Sequence, residues 1–249
     1  MCRLFGYIGE KRHLAGYLGG NKNSLLKQSH GTISNKGNSM TKHRDGWGIY
    51  WKKGPDQFYE RRGREEFEDN NFLSASLEIK AELSIAHIRY ATKGTPVTRK
   101  ESQPLIDDDI ILAHNGTLYP YIDEGKVKNL TDSQVILERL KKNWSGRDYK
   151  SLVVCLYNII IEVGENYTAM NLLISNEKEI FAFCKFKEID KYVANYYTMW
   201  LKSKPRYTIV SSQQIDEDCF GWEKMENSSL VHITKEGIIG KTFLTKQAF

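Results

Sequence analysis

The residue whose type and position promise chemistry in this 249-residue chain is Cys2. An initiator methionine is commonly removed before a residue as small as Cys, which here would leave Cys2 with both a thiol and a free α-amine. A thiol with a pKa near ~8.5 is only a few per cent thiolate at neutral pH and needs a base. An α-amine with a pKa near ~7.7 is about one-sixth neutral at pH 7 and can take the thiol proton. One residue then carries nucleophile and base, and the same amine can later protonate a leaving group. Taken alone, a Cys at position two is more often an incidental small hydrophobe, so the case rests on what accompanies it.

Five segments occur in order: Met1-Cys2-Arg3-Leu4-Phe5-Gly6-Tyr7, His43-Arg44-Asp45-Gly46-Trp47-Gly48, His87-Ile88-Arg89-Tyr90-Ala91-Thr92, His114-Asn115-Gly116-Thr117 and Thr131-Asp132-Ser133. Together they resemble the class II glutamine amidotransferases, above all the stand-alone group whose members are little more than the glutaminase domain. His-Asn-Gly alone is a weak signal. All five in this order, with the Cys at position two in the first, are specific. The likeness is strong through Thr131-Asp132-Ser133 and looser in the C-terminal strands, where Val210-Ser211-Ser212 reads as a strand end near the site.

The resemblance implies an α+β chain with the N-terminal-nucleophile (Ntn) hydrolase fold. This is a four-layer αββα sandwich of two antiparallel sheets flanked by helices, in one domain spanning 1–249. It implies that Cys2 attacks the γ-amide of glutamine, forms a γ-glutamyl thioester, and releases ammonia and glutamate. Such an attack creates a tetrahedral oxyanion that needs preorganised donors. In the family these are the Asn side-chain amide and the Gly N–H, here Asn115 and Gly116. Arg89 matches the ligand of the substrate α-carboxylate, which a planar guanidinium can hold through two parallel bonds, with Thr92 in support. Asp132 matches the ligand of the α-ammonium. Each has a plainer reading beside it: an ordinary Asn-Gly turn, a surface charge on a strand for Arg89, a helix cap for Asp132.

The block around Trp47 and Gly48 also matches the family. Glycines beside a Trp permit close approach to a ligand and the indole supplies a wall; core packing is the equal alternative. His87 is expected to pack within a sheet, because the α-amine already fills the role of base, and His114 is open to either reading. Two departures fall near the family's substrate-covering loop: Lys93 and Gln103-Pro104 stand where many members have His and His-Pro. No P-loop or Gly-x-Gly-x-x-Gly motif is visible, so ammonia passes to a separate synthase subunit or the enzyme hydrolyses another γ-glutamyl amide or peptide. A non-catalytic glutamine-binding regulatory subunit is the alternative from another class. The more distant bile-salt and penicillin acylase branch has no use for a zwitterion clamp. No cofactor is called for, and no His, Cys and carboxylate cluster has metal-ligand spacing.

Composition places limits around this chemistry. Hydrophobic residues make up 40% and charged residues 27%, ordinary for a globular chain, and 36 Lys and Arg against 31 Asp and Glu leave a net charge of +5. The basic runs Arg61-Arg62-Gly63-Arg64 and Lys141-Lys142 lie beside Glu65, Glu66 and Glu138. They read as solvated faces, not as a nucleic-acid stripe. No apolar run approaches the ~18 residues of a membrane span, and Glu10, Lys11 and Arg12 interrupt any signal-peptide core. A cytoplasmic placement without a membrane partner is therefore expected. Cys2, Cys155, Cys184 and Cys219 form no Cys-x-x-Cys pair, which argues against a disulfide framework or structural zinc.

The elements that must position these residues follow from period and punctuation. Strands are expected over Leu4–Ile8, Gly46–Trp51, Gln57–Glu60, Leu83–Tyr90 and Ile110–Ala113, the last ending at His114-Asn115-Gly116. In Leu83–Tyr90, Ile85 and His87 share one face, and Ala86 and Ile88 the other. A short helix is expected at Asn23–Ser29, followed by a loop over Gly31–Asn38. Thr131 followed by Gln134 marks a helix start before Val135, Leu137 and Leu140, and a second helix covers Asp148–Val163. Further strands are expected over Ala169–Ile174, Ile180–Phe186, Tyr207–Ser211, Leu230–Ile233 and Ile238–Phe243. Strands, two adjacent helices, then strands again predict one α+β domain of two packed sheets.

Overall fold

A computed structural model describes residues 2–33, 40–215 and 220–245. Met1, Cys219 and most of the expected Gly31–Asn38 loop lie outside the described residues. In chain order the elements are β1 (Arg3–His13), α1 (Leu25–His30), β2 (Thr32–Ile33), β3 (Met40–Thr41), β4 (Gly46–Lys53), β5 (Asp56–Gly63), α2 (Asp69–Glu78) and β6 (Lys80–Ile88). Then come β7 (Leu105–Asp107), β8 (Ile110–Leu118), α3 (Tyr119–Lys128), α4 (Asp132–Asn143), α5 (Tyr149–Val163), β9 (Tyr167–Ser175) and β10 (Ile180–Cys184). The chain ends with α6 (Lys191–Tyr197), β11 (Trp200–Lys204), β12 (Tyr207–Ser211), β13 (Trp222–Lys224), β14 (Ser229–Thr234) and β15 (Gly237–Phe243).

Two antiparallel sheets carry the fold. One runs β13-β11-β12-β1-β6-β4-β5, the other β15-β14-β10-β9-β8-β7. Strand alternation sorts their side chains into layers. From β1, Leu4 and Ile8 point between the sheets, where they meet Leu173, Ala182 and Val231. Phe5 and Tyr7 point the other way and pack with Leu25, Leu26 and Phe72 of α1 and α2. The outer face of the second sheet, including Leu112 and Phe181, packs with Val135, Ile136 and Leu140 of α4 and Leu152, Leu156 and Ile159 of α5. Helix, sheet, sheet, helix is the expected four-layer order. Each fully buried Leu or Ile in these layers contributes roughly 1.5–3 kcal/mol relative to exposure, so interlocking faces rather than surface charges hold the layers together.

Local chemistry sets the helix starts. Thr131 and Gln134 form a reciprocal capping box on α4. Asp148 accepts from Ser151 N at 3.0 Å to cap α5, and Ser24 caps α1. The short helices α2, α3 and α6 and the strands β7 and β11 were not expected from the sequence. The expected strand over Ile110–Ala113 also runs further, through His114, Asn115 and Gly116 to Leu118. Pairing with β9 carries it on, with Asn115 opposite Asn171 and a register shift after Gly116. The Asn-Gly pair is therefore part of a ladder and not a turn.

Candidate active site

Cys2 sits at the head of β1, the strand flanked by β12 on one side and β6 on the other. It is 8% exposed. Tyr90, just past the end of β6, holds the sulfur with its backbone: Tyr90 N donates to Sγ at 3.4 Å and Sγ lies 3.5 Å from Tyr90 O. Burial pushes the Cys2 thiol up from its ordinary range, and the contact with Tyr90 and the charge of Arg89 only partly offset it. The thiol of the unprocessed chain is therefore a protonated group in need of a base.

Asp45 fixes the chain that carries Tyr90. Its Oδ2 accepts from Ala91 N at 2.7 Å and its Oδ1 accepts from Arg64 Nε at 2.9 Å, while Asp45 N donates to Arg89 O at 3.1 Å. Arg89, just past the end of β6, is 5% exposed. Its Nη1 donates to Pro96 O at 2.7 Å and its Nη2 to Thr95 Oγ1 at 3.4 Å. A guanidinium has five N–H donors, so these two contacts leave others for a ligand. Thr92 Oγ1 lies 3.2 Å from Thr117 Oγ1, across the gap between β6 and β8.

Asp132 opens α4 and is 6% exposed. Its Oδ1 accepts from Ser133 N at 2.9 Å and its Oδ2 from Leu118 N at 3.0 Å. The plainer reading as a helix-end anchor is thus real, and each oxygen still has a lone pair for a further donor. Gly116 has φ of +154°, and a Cβ there would lie 1.8 Å from Ala169 O, so only glycine fits. Asn115 is 1% exposed, on the inter-sheet face it shares with Ile111 and Ala113, and its Oδ1 is buried with no hydrogen-bond partner. An unpartnered carboxamide oxygen in that layer stands out, since buried polar groups are nearly always paired.

Cys2, Arg89, Thr92, Gly116 and Asp132 line one small cavity of about 20 Å³, room for roughly one water. Asn115 stands beside Gly116 but does not line it. Trp47 and Gly48, expected beside the ligand, line no part of it either. Trp47 is fully buried in the layer beneath α2, edge-on to Phe72 at 5.2 Å between ring centroids. Gly48 makes room for the chain itself, because a Cβ there would lie 2.4 Å from Gln103 O. Gly46 does likewise for the Ser102 side chain, at 2.2 Å. The glycines of this block seat the 98–104 segment on β4, and the alternative of core packing wins for Trp47.

That segment delivers Gln103, a residue the sequence marked only as a departure. The β7–β8 ladder stops at Leu105 opposite Leu112, which leaves the His114 N–H one step beyond it. Gln103 Oε1 accepts that proton at 2.6 Å, and Gln103 Nε2 donates to Ser133 Oγ at 3.0 Å. Ser133 Oγ is 3.0 Å from His114 Nδ1, and His114 Nε2 is 3.4 Å from Ala169 O. One neutral tautomer satisfies every member: Ser133 donates to Nδ1 and Nε2–H donates to Ala169 O. Burial lowers the His114 pKa, consistent with the neutral ring. His87 is held down to about 3 by burial and by the charge of Arg89, so it is neutral as well and is a poor base at neutral pH.

Asp45 and Tyr90 lie within two of the five segments, but their role as supports of Cys2 comes only from contacts that strand pairing brings together. Among the described residues no group of three or more His, Cys, Asp or Glu side chains is placed to hold a metal ion. Among the described residues, no helix is long and apolar enough to cross a membrane.

Two antiparallel sheets between helical layers, with the site at one end of the inter-sheet gap, define the architecture of Ntn-type amidotransferase domains. The chain belongs to the class II glutamine amidotransferases, and it is an enzyme acting on C–N amide bonds. The family "Glutamine amidotransferases class-II" matches residues 18–196, a span that leaves Cys2 outside. The chain is similar to the γ-glutamyl-hercynylcysteine sulfoxide hydrolase of Mycolicibacterium smegmatis, at 25% identity over 251 residues, covering 96% of this chain and 98% of that one. An uncharacterised protein of Methanocaldococcus jannaschii is 30% identical over 198 residues, covering 71% of this chain and 50% of that one. Among solved structures, the glutamine phosphoribosylpyrophosphate amidotransferase of B. subtilis superposes with a TM-score of 0.63 at 19% identity, and this chain spans half of its length. A glutamine aminotransferase class-II domain protein of Silicibacter pomeroyi is matched along all of its length, with a TM-score of 0.60 at 14% identity.

Proposed function

We propose that this enzyme hydrolyses the amide of a γ-glutamyl substrate, of which glutamine is the simplest, with Cys2 as the nucleophile. The observation that carries the reading is the convergence of Cys2, Arg89 and Asp132, from β1, the end of β6 and the start of α4, on one cavity. A buried cation and a buried carboxylate flanking a thiol suit the α-carboxylate and α-ammonium of a γ-glutamyl group, with its carbonyl delivered to sulfur. The end-to-end likeness to a hydrolase of a γ-glutamyl compound supports hydrolysis.

In this reading, loss of Met1 frees the Cys2 α-amine, which takes the thiol proton. The thiolate attacks the γ-carbonyl carbon, an S–C bond forms, and the oxyanion is received by Gly116 N–H and the Asn115 carboxamide. Collapse breaks the C–N bond, and the proton held by the α-ammonium passes to the departing amine. The neutral α-amine then takes a proton from water, whose oxygen attacks the thioester. The S–C bond breaks, the proton returns to sulfur, and glutamate leaves. No proton is gained or lost by the enzyme over the cycle. With glutamine as substrate the departing amine is ammonia, for release or for a separate synthase subunit.

The test combines intact mass with amine release from a panel of γ-glutamyl amides. The processed chain is expected to lack the mass of Met1, to cleave at least one amide, and to take one adduct at Cys2 from a glutamine-analogue electrophile. Cys2→Ser is expected to lose at least roughly 10³-fold in kcat. Undiminished turnover by that variant sinks the proposal.

A further inference from the structure

The cavity at Cys2 has a larger neighbour. A second space, of about 300 Å³, shares Thr95, Thr131 and Asp132 with it. Its other walls are the 93–96 segment on one side and the end of α3 with the turn into α4 on the other. We propose that this space is a subsite for an acyl group carried on the α-nitrogen of the γ-glutamyl substrate. The acyl group it takes is short and ends in a carboxylate. The proposal rests on the γ-glutamyl reading and extends the substrate at the end opposite the bond that breaks.

Asp132 sets the point of attachment. It lines both spaces, whereas Cys2 and Arg89 line only the smaller. A γ-glutamyl group with its carbonyl at Cys2, its α-carboxylate at Arg89 and its α-nitrogen at Asp132 therefore presents the nitrogen at the boundary. Charge makes the same choice. The hydrogen bonds of the buried Arg89 guanidinium go to neutral oxygens, Pro96 O and Thr95 Oγ1. Amidating the α-carboxylate would take away its anion, which is costly for a buried cation. Asp132 already accepts from two backbone N–H groups, of Ser133 and Leu118, which stabilise its charge without a cation. An amide N–H can serve as its third donor in place of an ammonium.

The walls are built by the chain's own hydrogen bonds. Thr95 N and Thr95 Oγ1 both donate to Thr92 O, at 3.0 and 2.7 Å, and Arg89 Nη1 holds the next carbonyl, Pro96 O. Opposite, Leu130 N donates to Gly125 O at 2.9 Å and Asn129 takes the left-handed conformation, φ +57°, that ends α3. A Cβ at Gly125 would lie 2.3 Å from Leu130 O, so glycine lets this turn close. The space is thus preformed on both sides.

Size and lining define the acyl group. The volume is at the lower end of small-molecule pockets. Pro96, Ile122 and Leu130 offer apolar contact to a short chain. The Glu101 carboxylate is engaged by Thr98 N at 3.0 Å and Thr98 Oγ1 at 2.7 Å, and Lys126 is paired with Asp123 at 3.0 Å. Lys93 is exposed at the rim and makes no ion pair or hydrogen bond among the described residues. Beyond Asp132, the charge left for a ligand is its ammonium, which suits a carboxylate at the far end of the acyl chain.

The experiment measures ammonia release from glutamine, N-acetylglutamine and N-succinylglutamine by the processed enzyme, with electrophile labelling of Cys2 in parallel. N-acetylglutamine is expected within about 10-fold of glutamine in kcat/KM, the difference between a charged and a neutral donor at Asp132. N-succinylglutamine is expected about 3- to 5-fold above N-acetylglutamine, as much as an exposed ion pair provides, and the gap should shrink with added salt. Lys93→Glu is expected to place N-succinylglutamine below N-acetylglutamine while glutamine stays within about twofold of the parent enzyme. Ile122→Trp, which fills the space, is expected to lower both acylated amides about 10-fold or more and to spare glutamine. Labelled Cys2 with neither acylated amide cleaved, with equal turnover of the two in parent and Lys93→Glu, or with variants that change all three substrates alike, overturns the subsite alone. Unlabelled Cys2 with no cleavage of any amide overturns the γ-glutamyl reading and the subsite with it.

Discussion

Replacing Gln103 with Leu tests whether one side chain fastens β8, which carries the proposed oxyanion donors, to the helix that carries Asp132. Gln103 Oε1 is the acceptor for the His114 N–H at 2.6 Å, and Gln103 Nε2 reaches Ser133 Oγ at 3.0 Å; all three residues are at most 4% exposed. Leu fills a similar volume but accepts nothing. The His114 N–H is then left buried one step beyond the β7–β8 ladder, at a cost of about 1–3 kcal/mol. Ser133 loses a donor but keeps His114 Nδ1 as a partner, so its share is smaller. A net loss of about 2–3 kcal/mol corresponds to a drop of roughly 4–12 °C in Tm for a chain of this size.

The same change frees the stretch that carries Asn115 and Gly116 to shift against Asp132. kcat for any γ-glutamyl amide should therefore fall about 10-fold or more, because donors displaced by a fraction of an ångström lose much of their effect on the oxyanion. Scanning calorimetry and steady-state kinetics on one preparation read both effects. Gln103→His restores an acceptor near the His114 N–H and should recover at least half of the lost Tm. A Leu variant within about 1 °C of the parent and equally active refutes the reasoning, as does a His variant no better than Leu.

Two further outcomes follow from the site. Arg89→Lys removes the planar fork and its contacts to Pro96 O and Thr95 Oγ1; KM for a γ-glutamyl amide should rise about 10- to 100-fold with a smaller change in kcat, and an unchanged KM removes Arg89 from the carboxylate site. His87 makes stability depend on pH. Its pKa is depressed from 6.5 to about 3, so the unfolded chain takes the proton first. Its contribution is full above pH 6.5 and is lost as pH falls towards 3, at about 1.4 kcal/mol per pH unit at most. Urea midpoints between pH 7 and 4 should fall less steeply in His87→Asn than in the parent, and parallel profiles contradict the assignment.

Much of the framework is legible locally. The reciprocal cap of Thr131 and Gln134 involves residues three apart, so the start of α4, and Asp132 with it, can be read from the chain alone. The alternation in β6 likewise places Ile85 between the sheets and Ala86 and Ile88 on the outer face, because side chains alternate on any extended strand. Five ordered segments, the first with a Cys at position two, point to the family and to its layered fold.

Tertiary structure decided what those segments do to one another. The thiol of Cys2 meets the backbone of Tyr90, 88 positions away, through the pairing of β1 with β6. Nothing local in either segment encodes that contact. Trp47 and Gly48 looked like a ligand wall because a Trp flanked by glycines fits either role. Only the packing of Phe72 on the indole and of the Gln103 carbonyl against Gly48 separates them. His114-Asn115-Gly116 read as a strand end, since Asn-Gly is a strong turn signal, until hydrogen bonding to β9 carried the strand through it. The chemistry of single residues is written in their types, but a site assembled from five distant segments exists only once strand pairing has chosen the neighbours. That choice depends on the summed burial of two sheet faces, which no short stretch of sequence contains.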